Sequence, residues 1–355
     1  MGTTARRAAT ATLVAGGIIV LALALWKVKV VIALVFLGFI IAAAMRPGVD
    51  WLHGKARVPR PLGVLAHFAA LAGLIALLLW LAVPPAISQV QQAIGNVPTT
   101  SAQLRQSAKN STGIKHTILV AIEKRLKKLP SGTRLIHPAV TVTKKAFEVL
   151  VGLFFMFAVG AYWVFERDRA IALVQSLVPR KHRRVTRDTW ILIDQKLGAF
   201  VRGELILIVL VAVALSAGFY AIGLHFWLLL GVFAGVVEIV PVIGPLAAGA
   251  LAVGVGLTQN WHTALFAGLI VLGIRQLEDY VIVPRVLGHA VGLSPLVVLV
   301  SVTIIGILLG GFYVLLAIPI AAVLATLLDV VMRGVEPADE DVPTVMFTGA
   351  KEKTG

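Results

Sequence analysis

Two apolar runs, residues 11–25 and 30–45, are parted only by Trp26-Lys27-Val28-Lys29, and further runs recur at 62–83, 147–165 and 203–222. Taken with their flanks as 10–26 and 30–45, the first two fall at or just below the roughly 17–25 residues that a helix needs to cross a bilayer. That spacing predicts an antiparallel hairpin in the membrane, with little tilt or a locally thinned bilayer. After residue 222 the pattern changes. Shorter apolar pieces follow at 226–240, 246–258, 262–277, 295–309 and 312–330, and a helix of about 15 residues rises only roughly 22 Å against a hydrocarbon core of roughly 30 Å.

Two long stretches in this last third are interrupted near their middles, one by Pro241-Val-Ile-Gly244-Pro245 and one by Gly310-Gly311 with Pro319 beyond. Lipid cannot satisfy the backbone groups that a break sets free, so such breaks survive at membrane depth only against protein or a wet cavity. Paired interruptions of this kind point to a transporter's substrate site. The pieces pair as two hairpins, 226–258 entering from outside and 294–332 from inside, with 262–277 crossing between them; the alternative is that each piece spans. The fold class is therefore all-α polytopic membrane protein, with about eight hydrophobic helical regions that include two Pro/Gly-broken hairpins, re-entrant or spanning.

Between the third and fourth runs the pattern is amphipathic. Ile87, Val90, Ile94 and Val97, then Ile118, Ile122, Leu126 and Leu129, recur at three- and four-residue spacing, which predicts helices that pack on each other, on a neighbouring subunit or on the lipid surface. The chain thus divides into N-terminal transmembrane helices (1–83), an extracytoplasmic amphipathic segment (84–146), a span with a basic cytoplasmic segment (147–202), a core with two broken hairpins (203–333) and a tail (334–355). Glu336, Asp339, Glu340 and Asp341 make that tail acidic, and disorder is expected there.

Composition agrees with the pattern. A hydrophobic fraction of 59% with 14% charged residues, and a mean hydropathy of +0.94, are too apolar for a soluble domain of 355 residues. The net charge of +15 lies between the apolar runs, where topology and anionic lipid already require cations, and no aromatic-basic platform accompanies it to suggest nucleic acid. Arg46, Lys55, Arg57 and Arg60 follow the second run, and Arg167, Arg169, Arg180, Lys181, Arg183, Arg184 and Arg187 follow the fourth. Both segments are expected in the cytoplasm, together with both termini. The segment 84–146 is basic as well, but segments of about 60 residues or more translocate largely regardless of charge. Arg6-Arg7 ahead of residues 11–25 imitates a signal peptide; the run is read as a retained span. Absence of Cys excludes disulfides and thiolate chemistry.

Four ordered phrases carry a resemblance: Glu238-Ile-Val-Pro241-Val-Ile-Gly244-Pro245, Glu278-Asp279-Tyr-Val-Ile-Val-Pro284-Arg285-Val-Leu-Gly288, Leu293-Ser294-Pro295-Leu296, and Gly310-Gly311 followed by Ile318-Pro319. With Arg202-Gly203-Glu204 before them, residues 10–333 resemble the AI-2E (autoinducer-2 exporter) family of bacterial inner-membrane transporters. The resemblance implies a homo-oligomeric permease, a pentamer, that moves small polar molecules outward. Glu204 departs from it, since a polar uncharged residue such as Gln is expected there, and this bears on ion or substrate preference.

Candidate site residues follow from the breaks and from the charges near them. Glu238 lies in an apolar helix three residues before Pro241, either as a proton or cation site or as an anchor for freed amides. Pro241 and Pro245 remove amide donors and Gly244 permits close backbone approach, either lining a pathway or forming a tight turn between ordinary spans. Arg275 precedes Glu278 and Asp279 by three and four residues, the spacing of a local ion pair or of a gate. Gly310, Gly311 and Pro319 mark the second break, and Pro284, Arg285 and Gly288 an elbow leading into it. Ser294, Ser301 and Thr303 either meet substrate or bond back to their own helix. His225, Trp227, Trp261 and His262 gather at expected outer helix ends, without a carboxylate pattern that would complete a metal site.

No G-x-x-x-x-G-K-[ST], HExxH or G-x-S-x-G sequence occurs, so neither an ATP-driven pump nor an enzyme is expected, and no cofactor is implied. The leading reading is a secondary exporter of a small polar metabolite such as autoinducer-2, coupled to protons. A sodium/proton antiporter using Glu238, Glu278 or Asp279 is the alternative, and a non-transporting membrane scaffold built on 84–146 is the second.

Overall fold

The computed structural model describes residues 2–94, 136–241, 243–286, 292–340 and 342. The amphipathic helices expected in 84–146 fall largely outside these residues, as do Gly288 and most of the tail. Among the described residues the chain is all-α, with no strand. Its helices are α1 (Gly2–Lys27), α2 (Lys29–Ala56), α3 (Arg60–Ile94), α4 (Ile136–Leu177), α5 (Arg183–Ala221), α6 (Trp227–Val237), α7 (Ile243–Gln259), α8 (Trp261–Leu277), α9 (Val283–Val286), α10 (Pro295–Leu309), α11 (Gly311–Val314) and α12 (Ala317–Met332). Segments of α1, α2, α4 and the α5 region are long and apolar enough to cross a membrane, while α6, α7, α10 and α12 are apolar but shorter.

The basic part of 147–202 is itself helical. α4 runs through Arg167 and Arg169 to Leu177, Pro179 turns the chain, and α5 begins at Arg183 after a short 3₁₀ turn. The run at 203–222 is thus the far half of a 39-residue helix, about 58 Å long. α1 stays exposed along its apolar length, which suits lipid contact.

α5 is the axis on which the rest packs. On one side, Val211, Leu215 and Phe219 join Leu230 and Ala234 of α6, Ala248 and Ala252 of α7 and Ala267 of α8 in one buried cluster. On the other, Leu197 meets Ala33, Ile40 and Ala43 of α2 with Tyr313 and Leu316 of the second broken stretch.

Small residues set the helix approaches. A Cβ on Gly231 would overlap the Ser216 side chain and backbone, and one on Gly235 would lie 2.5 Å from the Ile208 carbonyl. The four-residue spacing of these two glycines lays the α6 backbone directly on α5, a packing device common between helices in lipid.

α2 crosses α5 by a different means. Pro47 removes the amide that would bond the Ala43 carbonyl, leaving an orphan acceptor inside the helix. Arg202 of α5 supplies the donors: its Nη1 lies 3.4 Å from the Ala43 carbonyl and 3.1 Å from that of Ala44. Gly198 makes room, since a Cβ there would sit 2.5 Å from the Ala43 oxygen.

Both interruptions form real breaks. After α6 the chain passes through Glu238 to Pro241 and re-enters helix at Ile243, with α6 and α7 packed together. The Gly244 amide bonds the Val240 carbonyl at 2.8 Å, and a Cβ on Gly244 would overlap the Val237 carbonyl. Gly310 ends α10 with φ +104, a value that only glycine adopts easily. α11 is a single turn before α12. Pro319 lies in the first turn of α12, where its missing N–H leaves no bond unmade.

Candidate functional site

The first break and the end of α8 meet in a charged cluster. Glu238 sits at the C-terminal end of α6, buried at 8% exposure. Arg275 projects from the last turn of α8 and places Nη1 2.8 Å from Glu238 Oε1. The same nitrogen lies 3.3 Å from Glu278 Oε2, and Nη2 lies 3.0 Å from Asp279 Oδ1. A single guanidinium therefore ties three carboxylates, two of them buried and Asp279 exposed. A buried carboxylate needs an opposite charge, and Arg275 supplies it to Glu238 and Glu278.

The local backbone explains how α8 delivers these groups. From Glu278 to Ile282 the helix widens into a π turn, in which the Val283 amide bonds the Glu278 carbonyl five residues back. Pro284 follows with no N–H to continue the ladder. Such widened turns occur often at functional sites.

Glu204 of α5 completes the cluster. It lies close enough to Glu238 and Glu278 for their charges to act on it. The close packing at Gly231 and Gly235 accounts for this approach, because it holds the lower part of α6 against α5 just above Glu204. Three carboxylates, Glu238, Glu278 and Asp279, thus share one guanidinium, and Glu204 lies near two of them. If all are ionised, four minus one leaves a formal excess of three negative charges.

Sequence spacing alone gave Arg275, Glu278 and Asp279 a shared helical face. The pairing with Glu238 is the added feature, and it spans 37 residues. Glu204 was legible only as an unusual residue, and Arg202 only as part of a phrase; the signal for Arg202 is Pro47 on another helix. Pro284 and Arg285 lie exposed on α9, apart from the cluster's hydrogen bonds, and Gly288 is outside the described residues.

The two breaks come together through apolar contact. Val240 of the first packs against Val302 of α10, Val314 of α11 and Ala317 of α12. Gly310, Gly311 and Pro319 thus belong to the element facing Pro241, Gly244 and Pro245. Of the hydroxyl candidates, Thr303 bonds the Leu299 carbonyl of its own helix at 2.8 Å and Ser294 caps α10 through the Val297 amide. Both roles are structural. At the loop ends, Gln259 links the Gly223 carbonyl to the His225 amide and Trp261 lies on His262. Among the described residues no group of three or more His, Cys, Asp or Glu is arranged to hold a metal ion.

The sequence profile of the AI-2E family of transporters matches residues 16–333. YrrI of Bacillus subtilis (strain 168), named for a role in transport, is 25% identical over 317 residues, covering 85% of this chain and 86% of its own length. MT0215 of Mycobacterium tuberculosis, also named for transport, is 26% identical over 326 residues, 88% of this chain and 86% of its own. PerM of Escherichia coli (strain K12), named as a permease, is 29% identical over 189 residues, about half of each chain. The chain belongs to the AI-2E transporter family and is a bacterial membrane protein.

Proposed function

We propose that this member of the AI-2E family is a secondary exporter of a small polar metabolite, with autoinducer-2 the candidate that the family's name supplies. Flux is coupled to protons taken up and released by the Glu238 and Glu278 carboxyls held by Arg275 and by the neighbouring Glu204. The observation that carries this reading is the 2.8 Å contact between Glu238 and Arg275, which ties a break in one helix pair to the end of the neighbouring helix. Adding a proton to Glu238 or Glu278 removes part of the attraction that holds the break in place. Losing it lets α6 and α7 shift relative to α8, while the Val240 contact passes the movement to the second broken stretch.

The energetics suffice. One proton crossing about 100 mV supplies roughly 2.3 kcal/mol, enough for a concentration ratio of about fifty. Substrate would contact the polar backbone around Pro241 and Gly310, where the helices are interrupted.

The carboxylate excess favours a second reading, a sodium/proton antiporter in which a cation replaces protons at the same cluster. Purified protein in proteoliposomes with an internal pH dye separates the two. Export predicts labelled metabolite movement that collapses the proton gradient without sodium; antiport predicts sodium-dependent dequenching with no metabolite present. Absence of both fluxes would leave the protein without a transport activity and defeat the proposal.

A further inference from the structure

The acidic tail begins where α12 ends, and the way it ends directs it back over the protein. Gly334 takes φ +67, and the amides of Arg333 and Val335 both bond the Asp329 carbonyl, at 3.1 and 3.2 Å. This is a glycine-terminated helix end that reverses the chain. Residues 334–340, the start of the segment expected to be disordered, then lie along the first half of α5.

Three contacts pin them there. Glu336 lies 3.7 Å from Arg184, Glu340 Oε1 lies 2.6 Å from Lys196 Nζ, and Val342 packs with Ile206 against fully buried Ala199. The anchors on α5, from Arg184 to Ala199, extend over about 22 Å of helix.

Lys196 is the informative one. Its side chain is 6% exposed, yet α5 and its neighbouring helices give it only one further described hydrogen bond, to Thr326 Oγ1 at 3.2 Å on α12. Thr326 is itself 1% exposed and neutral. The nearest acid along the helix, Asp194, is engaged by Arg167, and Asp329 on α12 is engaged by Arg333. A buried ammonium needs an opposite charge, and among the described residues the one carboxylate at ion-pair distance is that of Glu340. That carboxylate arrives on a segment which lies beyond the 16–333 match to the family.

We propose that Lys196 and Thr326 form a carboxylate-binding site which the tail's own Glu340 fills, making residues 334–340, together with Val342, a detachable latch over the joint between α5 and α12. Opening the latch exposes a cationic site that takes a free carboxylate in its place. α5 also carries Arg202 and Glu204, so the latch grips the helix that positions the charged cluster. The site is independent of which solute the protein moves.

The test uses the full chain, which has no cysteine, with Val342→Cys as a reporter labelled by a maleimide in detergent-solubilised protein. Labelling is slow with Lys196 intact and rises at least tenfold on Lys196→Gln, whereas Glu336→Gln, at an exposed contact, changes it less than threefold. Millimolar potassium glutamate accelerates labelling of the Lys196 protein and saturates, while potassium chloride at equal ionic strength does not. If Lys196→Gln fails to fold, the glutamate comparison decides alone. Labelling as fast with Lys196 as without it, or equal acceleration by chloride and glutamate, overturns the latch.

Discussion

Arg275 Nη1 lies 2.8 Å from Glu238 Oε1, joining the end of α8 to the break after α6. Local spacing accounts for Glu278 and Asp279, but the bond to Glu238 makes the cluster a tertiary junction rather than a helix-surface ion pair. Removing the cation leaves two buried carboxyls without their shared partner. Arg275→Gln is therefore expected to lower thermal stability, read by fluorescence-detected gel filtration after heating. Since Arg275 is 32% exposed, the loss should fall below the roughly 3–5 kcal/mol of a fully buried pair. Adding Glu238→Gln to this variant should recover part of it; two losses that simply add would show the contact to be energetically idle.

Protonation of the cluster should set the pH response of transport. Glu278→Gln should flatten the dependence of flux on pH while leaving the gel-filtration profile unchanged. Flux that keeps the same pH dependence in this variant would place the coupling elsewhere.

Glu204 adds a carboxylate beside Glu238 and Glu278, so Glu204→Gln should leave folding intact and change ion response. The expected result is a several-fold change in the proton or sodium concentration for half-maximal flux. An identical concentration dependence would reduce Glu204 to a bystander.

The α5–α6 approach depends on missing side chains. Gly231→Ala must push its methyl into the Ser216 backbone, which lies 2.6 Å from the Cβ position, and should cost about 1–3 kcal/mol. Gly254→Ala meets nothing within 4 Å and should be neutral or stabilising by up to about 1 kcal/mol, as for glycine replaced within a helix. Thermal stability of the pair checks this, and equal effects would contradict the packing described.

Arg202 serves the carbonyl that Pro47 leaves open. Arg202→Met should destabilise by about 1–3 kcal/mol for the unsatisfied acceptors, and Pro47→Ala should recover part of the loss by restoring the Ala43 partner. Lack of any rescue in thermal stability would mean that Arg202 acts through other contacts.

Much of the architecture could be read from the chain because its causes are local. Hydrophobic runs mark helices, and Pro241, Gly244 and Gly310 mark breaks, since each changes what its own backbone can do. The extent of α4 and α5 was harder to read, because basic residues end an apolar run without ending a helix; only Pro179 does that. The site was half legible. Arg275, Glu278 and Asp279 share a face by spacing, whereas Glu238 and Glu204 join them through Gly231 and Gly235, whose role depends on which helix lies opposite. Lys196 gave no sequence signal at all, as its need for Glu340 arises only when α5 and α12 bury it together.

The proposed transport requires a wet pathway beside the point where the two breaks meet. Neither Gly244 nor Gly310 accepts a side chain without strain, so their neighbours Ile239 and Phe312, at 37% and 43% exposure, are the positions to probe. Each is replaced singly by Cys in this cysteine-free chain, with Leu269→Cys on the outward face of α8 as a lipid-facing control. Intact proteoliposomes are then treated with a membrane-impermeant thiol reagent added inside or outside. Ile239→Cys and Phe312→Cys are expected to react from opposite faces while Leu269→Cys stays unmodified; both break positions as inert as Leu269→Cys would exclude a wet pathway there.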